Sequence, residues 1–170
     1  NANNTEDDIA RIQQFGAPLR VDDHGNASTS ATPLNAVTSA GVVALSGSGV
    51  ITTRSDVDVF SFASSAGPIS LTITPAPRGP NLDVVAELLD ASGNLVATVN
   101  PVDALNATIN VSSAPAGTYY LKIDGTGKGD LTTGYSDYGS LGAYTVSGSA
   151  NAGEGQPPVA LPSATPVSRT

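Results

Sequence analysis

The sequence predicts an all-β protein: an antiparallel sandwich preceded by one short helix and followed by an extended Pro-rich tail. Three observations carry that expectation. Charged residues make up 13% of the chain and the apolar 39% is built mainly from Val, Ala, Leu and Ile, while 18 Gly and 12 Pro punctuate it. β-Branched residues suit a pleated surface, and Gly and Pro suit turns. Segments such as Ile69-Ser70-Leu71-Thr72-Ile73-Thr74 alternate with period two, the pattern of a strand with one buried face. Turn signals separate these segments, with no helical period between Gly49 and Ser149.

The elements follow in chain order. Thr5 is placed to cap a helix, with Glu6, Asp7 and Asp8 on its positive end. Ile9, Ile12 and Phe15 give it an apolar stripe, and Gly16 with Pro18 beyond stops it. Three turns do not hold alone in water, so this helix is expected to pack on something. Residues 17–48 read as loop-rich, with 41–45 (Gly41-Val42-Val43-Ala44-Leu45) as a first strand or bridging segment. The body supplies strands over 57–62, 69–74, 84–89, 94–99, 107–111, 118–123 and 143–147. The turn Asp90-Ala91-Ser92-Gly93-Asn94 joins two of them as a hairpin, while Gly47-Ser48-Gly49 and Gly148-Ser149 read as turns. Residues 151–170 form a Pro-rich linker-like segment.

Charge and composition exclude several functions. The net charge is −8 with scattered basic residues, so nothing matches a phosphate backbone and nucleic acid is not an expected partner. No apolar run approaches the length of a membrane span. The absence of Cys removes disulfides, thiolate metal sites and a Cys nucleophile. An acidic, lysine-poor surface suits a secreted protein at the cell surface or beyond it, with any export signal lying upstream.

The segment Asp22-Asp23-His24-Gly25-Asn26, then Ala31-Thr32-Pro33-Leu34, then Asp56-Val57-Asp58-Val59-Phe60-Ser61-Phe62, resembles the bacterial pre-peptidase C-terminal domain family. So do Ala116-Gly117-Thr118-Tyr119-Tyr120 and Gly134-Tyr135-Ser136-Asp137-Tyr138-Gly139, and the resemblance extends from Asp22 to Gly148. It implies a jelly-roll-like sandwich over 17–150, appended to a secreted peptidase and related to collagen-binding domains that hold calcium. Residues 1–16, through Asn3-Asn4-Thr5-Glu6-Asp7-Asp8-Ile9, resemble the last helix of a zincin-type peptidase domain. Residues 151–170, through Pro157-Pro158-Val159-Ala160, resemble the first strand of a PKD-type domain.

The residue types narrow the chemistry. His24 is the single histidine, so the paired His and Glu of zinc proteolysis are missing and His24 reads as a solvated turn residue. No Gly-x-Ser-x-Gly elbow joins a strand to a helix. The loop 124–130 lacks the terminal Lys-Ser/Thr of a phosphate-binding loop and reads as a hairpin loop. Hard cations remain, because calcium takes six to eight oxygens. Asp22, Asp23 and Asn26 form one oxygen cluster, and Asp56 and Asp58 another beside Ser55. In the calcium-binding relatives, acidic residues at these two places close on one ion and pin the linker to the sandwich. Here Asp replaces the Glu those relatives favour in the linker, and Ser55 stands where Asp is common. The competing reading makes these residues Asx-turn formers. Asp124, Asp130 and Asp137 are a weaker second set.

The expected function is therefore a non-catalytic accessory domain of a secreted bacterial metallopeptidase-like protein: a spacer, a stability module or a surface-binding unit, in contact with adjacent domains. The alternative is a structural subunit of an extracellular homo-oligomer or filament. In that reading the segment from Pro157 to Val167 adds to an open sheet edge of a neighbouring copy, with Val159, Leu161 and Val167 on one parity.

Overall fold

The computed structural model describes residues 7–130 and 132–153, and among these the alternating segments form strands. A helix α1 (Asp8–Gln14) precedes β1 (Thr32–Pro33), β2 (Asn35–Ser39), β3 (Val42–Ile51), β4 (Val57–Ser64) and β5 (Gly67–Pro75). Then come β6 (Val84–Asp90), β7 (Leu95–Val99), β8 (Ala107–Ala114), β9 (Gly117–Gly125) and β10 (Gly142–Asn151). One sheet runs β1-β4-β9-β6-β7 and the other β2-β3-β10-β5-β8. Apart from β1 and β2 at the edges, β3-β10-β5-β8 facing β4-β9-β6-β7 is the strand order of a jelly roll, two interlocked Greek keys. The fold is an all-β sandwich.

Parity fills the space between the sheets. Phe60, Phe62, Leu88, Leu121 and Ile123 come from one face and Ile69, Leu71, Ile73, Ile109 and Val146 from the other, all buried. Each large side chain so removed from water contributes about 1.5–3 kcal/mol. Phe62 stacks on Tyr119, with ring centroids 5.8 Å apart.

Several expectations are corrected. β3 extends from Val42 to Ile51, so Gly47-Ser48-Gly49 is not a turn. It pairs with Tyr144, Thr145 and Val146 of β10, and Gly148 and Ser149 likewise lie within that ladder. These glycines serve close packing: a Cβ on Gly47 would sit 2.7 Å from Leu34 Cδ2, and one on Gly148 2.2 Å from the Ser70 carbonyl. Residues 32–39, read as loop, hold two edge strands, where tertiary pairing overrides a weak local pattern. β1 pairs with β4 in parallel, the exception to an otherwise antiparallel ladder.

The helix is capped by Asp7, whose carboxylate accepts the Ala10 N–H at 3.1 Å. Thr5, the expected cap, lies outside the described residues, as does the tail from Pro157 to Val167. Gly16 does adopt the positive φ (96°) expected after the helix. The stripe does not pack as expected: Ile12 is 57% and Phe15 77% exposed, and Ile9 alone is half-buried. Polar contacts with Tyr138 hold the helix instead. The Ile9 N–H donates to the Tyr138 hydroxyl at 3.0 Å, and that hydroxyl donates to Asp7 at 2.8 Å.

Tyr138 stands just before β10, so the helix lies at the pole where β10 begins. At the other end of β10 the Ala152 N–H donates to the Gly41 carbonyl and the Ser65 N–H to the Asn151 carbonyl. Ten residues of strand separate these poles by roughly 30 Å.

Candidate metal centre

The expected acidic residues gather at the helix-bearing pole. Asp58 has the inward parity of Phe60 and Phe62, so β4 carries its carboxylate into the sandwich, where it is fully buried. Asp56 sits in the turn before β4 and is 3% exposed. Its Oδ2 accepts the Thr52 N–H at 2.6 Å and the Thr52 hydroxyl at 2.7 Å. Asp22 arrives from the linker, and ligand oxygens of Asp22, Asp56 and Asp58 lie within 4.8 Å of one another.

Asp23 and Asn26 are placed beside this group but turned to other work. Asp23 Oδ1 accepts the Val50 N–H at 3.2 Å, and its Oδ2 lies 3.6 Å from His24 Nε2. Asn26 Oδ1 accepts the Val57 N–H at a long 3.4 Å. Both tie the linker to the sandwich through backbone amides 27 and 31 residues away in sequence, which is not the local bond of an Asx turn. Asp22 also accepts the His24 N–H at 3.1 Å. Asp22 thus forms the Asx turn of the one reading and joins the carboxylate group of the other.

His24 is not a solvated turn residue. Its ring is half-buried against Phe60, with centroids 4.5 Å apart. Nε2 donates to the Ser48 carbonyl at 2.8 Å, and Nδ1 hydrogen-bonds the Thr32 hydroxyl at 2.9 Å. Both nitrogens therefore fasten linker and β1 to β3.

Two partners escaped the sequence reading. The Tyr144 hydroxyl, from the opposite sheet, donates to Asp58 Oδ2. Gly49, paired with Tyr144 in the ladder, leaves room for that meeting: a Cβ there would lie 2.3 Å from the Tyr144 hydroxyl and 2.7 Å from Asp58 Oδ2. The inward parity of Tyr144 with Val146 was the available signal. Its contact with Asp58 depends on how the sheets face each other.

The electrostatics are those of carboxylates crowded together under burial. Burial pushes the Asp58 carboxyl up to about 6; the Tyr144 hydrogen bond opposes this and the neighbouring charge of Asp56 adds to it. Burial and then the Asp58 bond raise the Tyr144 phenol, which stays a donor. Asp56 Oδ1 and Asp58 Oδ1 are buried with no hydrogen-bond partner in the protein. Buried carboxylate oxygens ordinarily have partners, and leaving them bare is costly. An all-oxygen donor set of three carboxylates suits a hard cation such as calcium and not a thiophilic or imidazole-seeking metal. The weaker set does not assemble in the same way. Asp130 caps its own turn by accepting from Thr132 and Thr133, and Asp137 pairs with Arg54 at 2.7 Å.

No family model matches the chain, and no curated protein sequence matches it. Solved structures do. The pre-peptidase C-terminal domain of a Bacillus anthracis collagenase is 20% identical over 73% of this chain and 99% of that one, with a TM-score of 0.49. Aeromonas hydrophila PliG, a periplasmic inhibitor of g-type lysozyme, is 11% identical over 70% of this chain and 94% of that one, with a TM-score of 0.43. The Yersinia pseudotuberculosis-derived mitogen is 11% identical over 68% and 97%, with a TM-score of 0.42. The assignment of a jelly-roll sandwich rests on the strand order of the chain itself.

Proposed function

We propose that the chain is a non-catalytic accessory module of a secreted bacterial protein, with its linker clamped to its sandwich by calcium. Asp22, Asp56 and Asp58 would hold the ion. One observation carries the reading: two buried carboxylate oxygens without partners lie beside a third carboxylate that belongs to the linker. An ion there neutralises charge that is otherwise unfavourable to bury, and it joins the segment entering the sandwich to β4. The positions of α1 and of Gly153 at opposite poles support the role of a spacer, because a stiffened entry turns the sandwich into a strut between the segments at its two poles. His24, the single histidine, has both nitrogens occupied in structural bonds, which favours a role without catalysis. Among the described residues no helix is long and apolar enough to cross a membrane.

Calcium titration followed by thermal denaturation tests the clamp. A ligand at a hundred times its Kd stabilises by about 2.7 kcal/mol, which raises the Tm of a domain this size by roughly 5–10 °C. The exposed Asp22 gives the cleaner variant: Asp22→Ala weakens calcium binding while leaving the calcium-free Tm near that of the parent. A Tm and a calorimetric titration that ignore both calcium and chelator would return these residues to backbone capping alone.

A further inference from the structure

We propose that the loop joining β9 to β10 carries a binding groove for a neutral glycan, with Tyr135 as its stacking platform. None of the groups involved belongs to the acidic centre, so the two readings stand or fall separately.

The loop is built to hold one ring. Lys128 and Tyr135 exchange both backbone hydrogen bonds at 2.9 Å. Glycine at 134 is required there, since a Cβ would fall 1.6 Å from the Lys128 carbonyl. The Tyr135 hydroxyl then reaches inward and donates to Asp83 Oδ2 at 2.7 Å. Asp83 is only 3% exposed, and its second oxygen has no partner in the protein. A buried carboxylate is a poor device for stability, and an apolar residue would serve better. What this bond secures is orientation, because it fixes the side chain of a residue that remains 47% exposed.

Tyr135 lines two hollows, of about 390 Å³ and 170 Å³. Thr126 and Ser136 face the larger, Asp103 and Lys128 the smaller. Lys128 and Asp137 are already paired within the protein, with Asp103 at 2.7 Å and with Arg54, and Asp130 is held by the neutral donors of its own turn. With its lysine paired to Asp103 and Asp130 still carrying a carboxylate charge, the groove disfavours an anionic ligand, which leaves a neutral one. A fixed aromatic face flanked by hydroxyls and a carboxylate–ammonium pair suits a molecule with a flat aliphatic face and a hydroxyl rim, and a pyranose ring has both.

The test uses the full chain with calcium present and NMR titration against cellohexaose, maltohexaose and N-acetylchitohexaose at millimolar concentration. Saturable shifts centred on Tyr135 are expected with at least one of them. Tyr135→Ala should weaken that binding by about tenfold or more. Tyr135→Phe keeps the ring but frees it from Asp83, and should weaken it by a smaller factor. Asp103→Ala, at an 89% exposed side chain that no core contact depends on, guards against loss of fold and should also weaken it. The proposal is overturned if none of the three sugars binds, or if Tyr135→Ala and Asp103→Ala bind as the parent does. Displacement of the sugar by a cationic peptide would also overturn it, since the groove would then be reading charge.

Discussion

Asp58 shares the parity of Phe60 and Phe62, so the strand that builds the core also buries a carboxylate. That placement makes stability depend on pH in a defined direction. Its folded pKa, about 6, lies above the ordinary 3.8. Its contribution is therefore complete below about pH 4 and is lost as pH rises through 6. Without calcium the Tm should fall between pH 4 and pH 7, by an amount corresponding to up to about 3 kcal/mol from this group. Calcium should reverse the loss at pH 7 and do little at pH 4; a calcium-free Tm that rises over this interval would contradict the burial argument. Gly49 belongs to the same balance. Gly49→Ala places a Cβ against both the Tyr144 hydroxyl and Asp58, and should cost about 1–3 kcal/mol by overpacking. It should also reduce calcium affinity, read by titration.

Among the elements, β10 carries the most structure and α1 the least. β10 pairs with both β3 and β5, and Gly148 sits where the two ladders meet. Gly148→Ala would press a methyl onto the Ser70 carbonyl and Leu71. A loss of at least about 1–3 kcal/mol is expected from a clash with backbone that has no room to shift. The helix is different. None of its residues is buried, so removal of residues 1–14 should change stability by no more than about 0.5 kcal/mol, as at an ordinary surface. A large drop in Tm would show that its contacts with Tyr138 matter more than their exposure suggests. The strands at 57–62, 69–74, 84–89, 118–123 and 143–147 were legible from alternation. β1, β2 and the second half of β3 were not, because Pro33, Gly47 and Gly49 are poor strand formers on their own and are held there by pairing.

For the whole molecule, the jelly-roll order brings the start of β3 beside the end of β10, and it is the segment ahead of β3 that carries the linker and α1 to the opposite pole. A chain ending at Gly153 should keep the Tm of the full chain to within about 1 °C, because the last contacts, from Asn151 and Ala152, are retained. Light scattering of the same pair tests the assembly reading. If residues 154–170 join copies, only the full chain forms larger species; identical monomers would leave the accessory module as the sole reading.

Composition and alternation alone determined the class of fold, the inward faces of the long strands and the oxygen-rich character of the acidic segments, because period and residue type are local properties of a chain. Tertiary structure decided the rest. Which carboxylates would share an ion depended on register and on the facing of two sheets: Asp22, Asp56 and Asp58 converge, while Asp23 and Asn26 cap backbone amides next to them. The same facing brought Tyr144 to Asp58 and Tyr135 to Asp83. Those bonds connect residues far apart in sequence, and no local pattern encodes the distance between them.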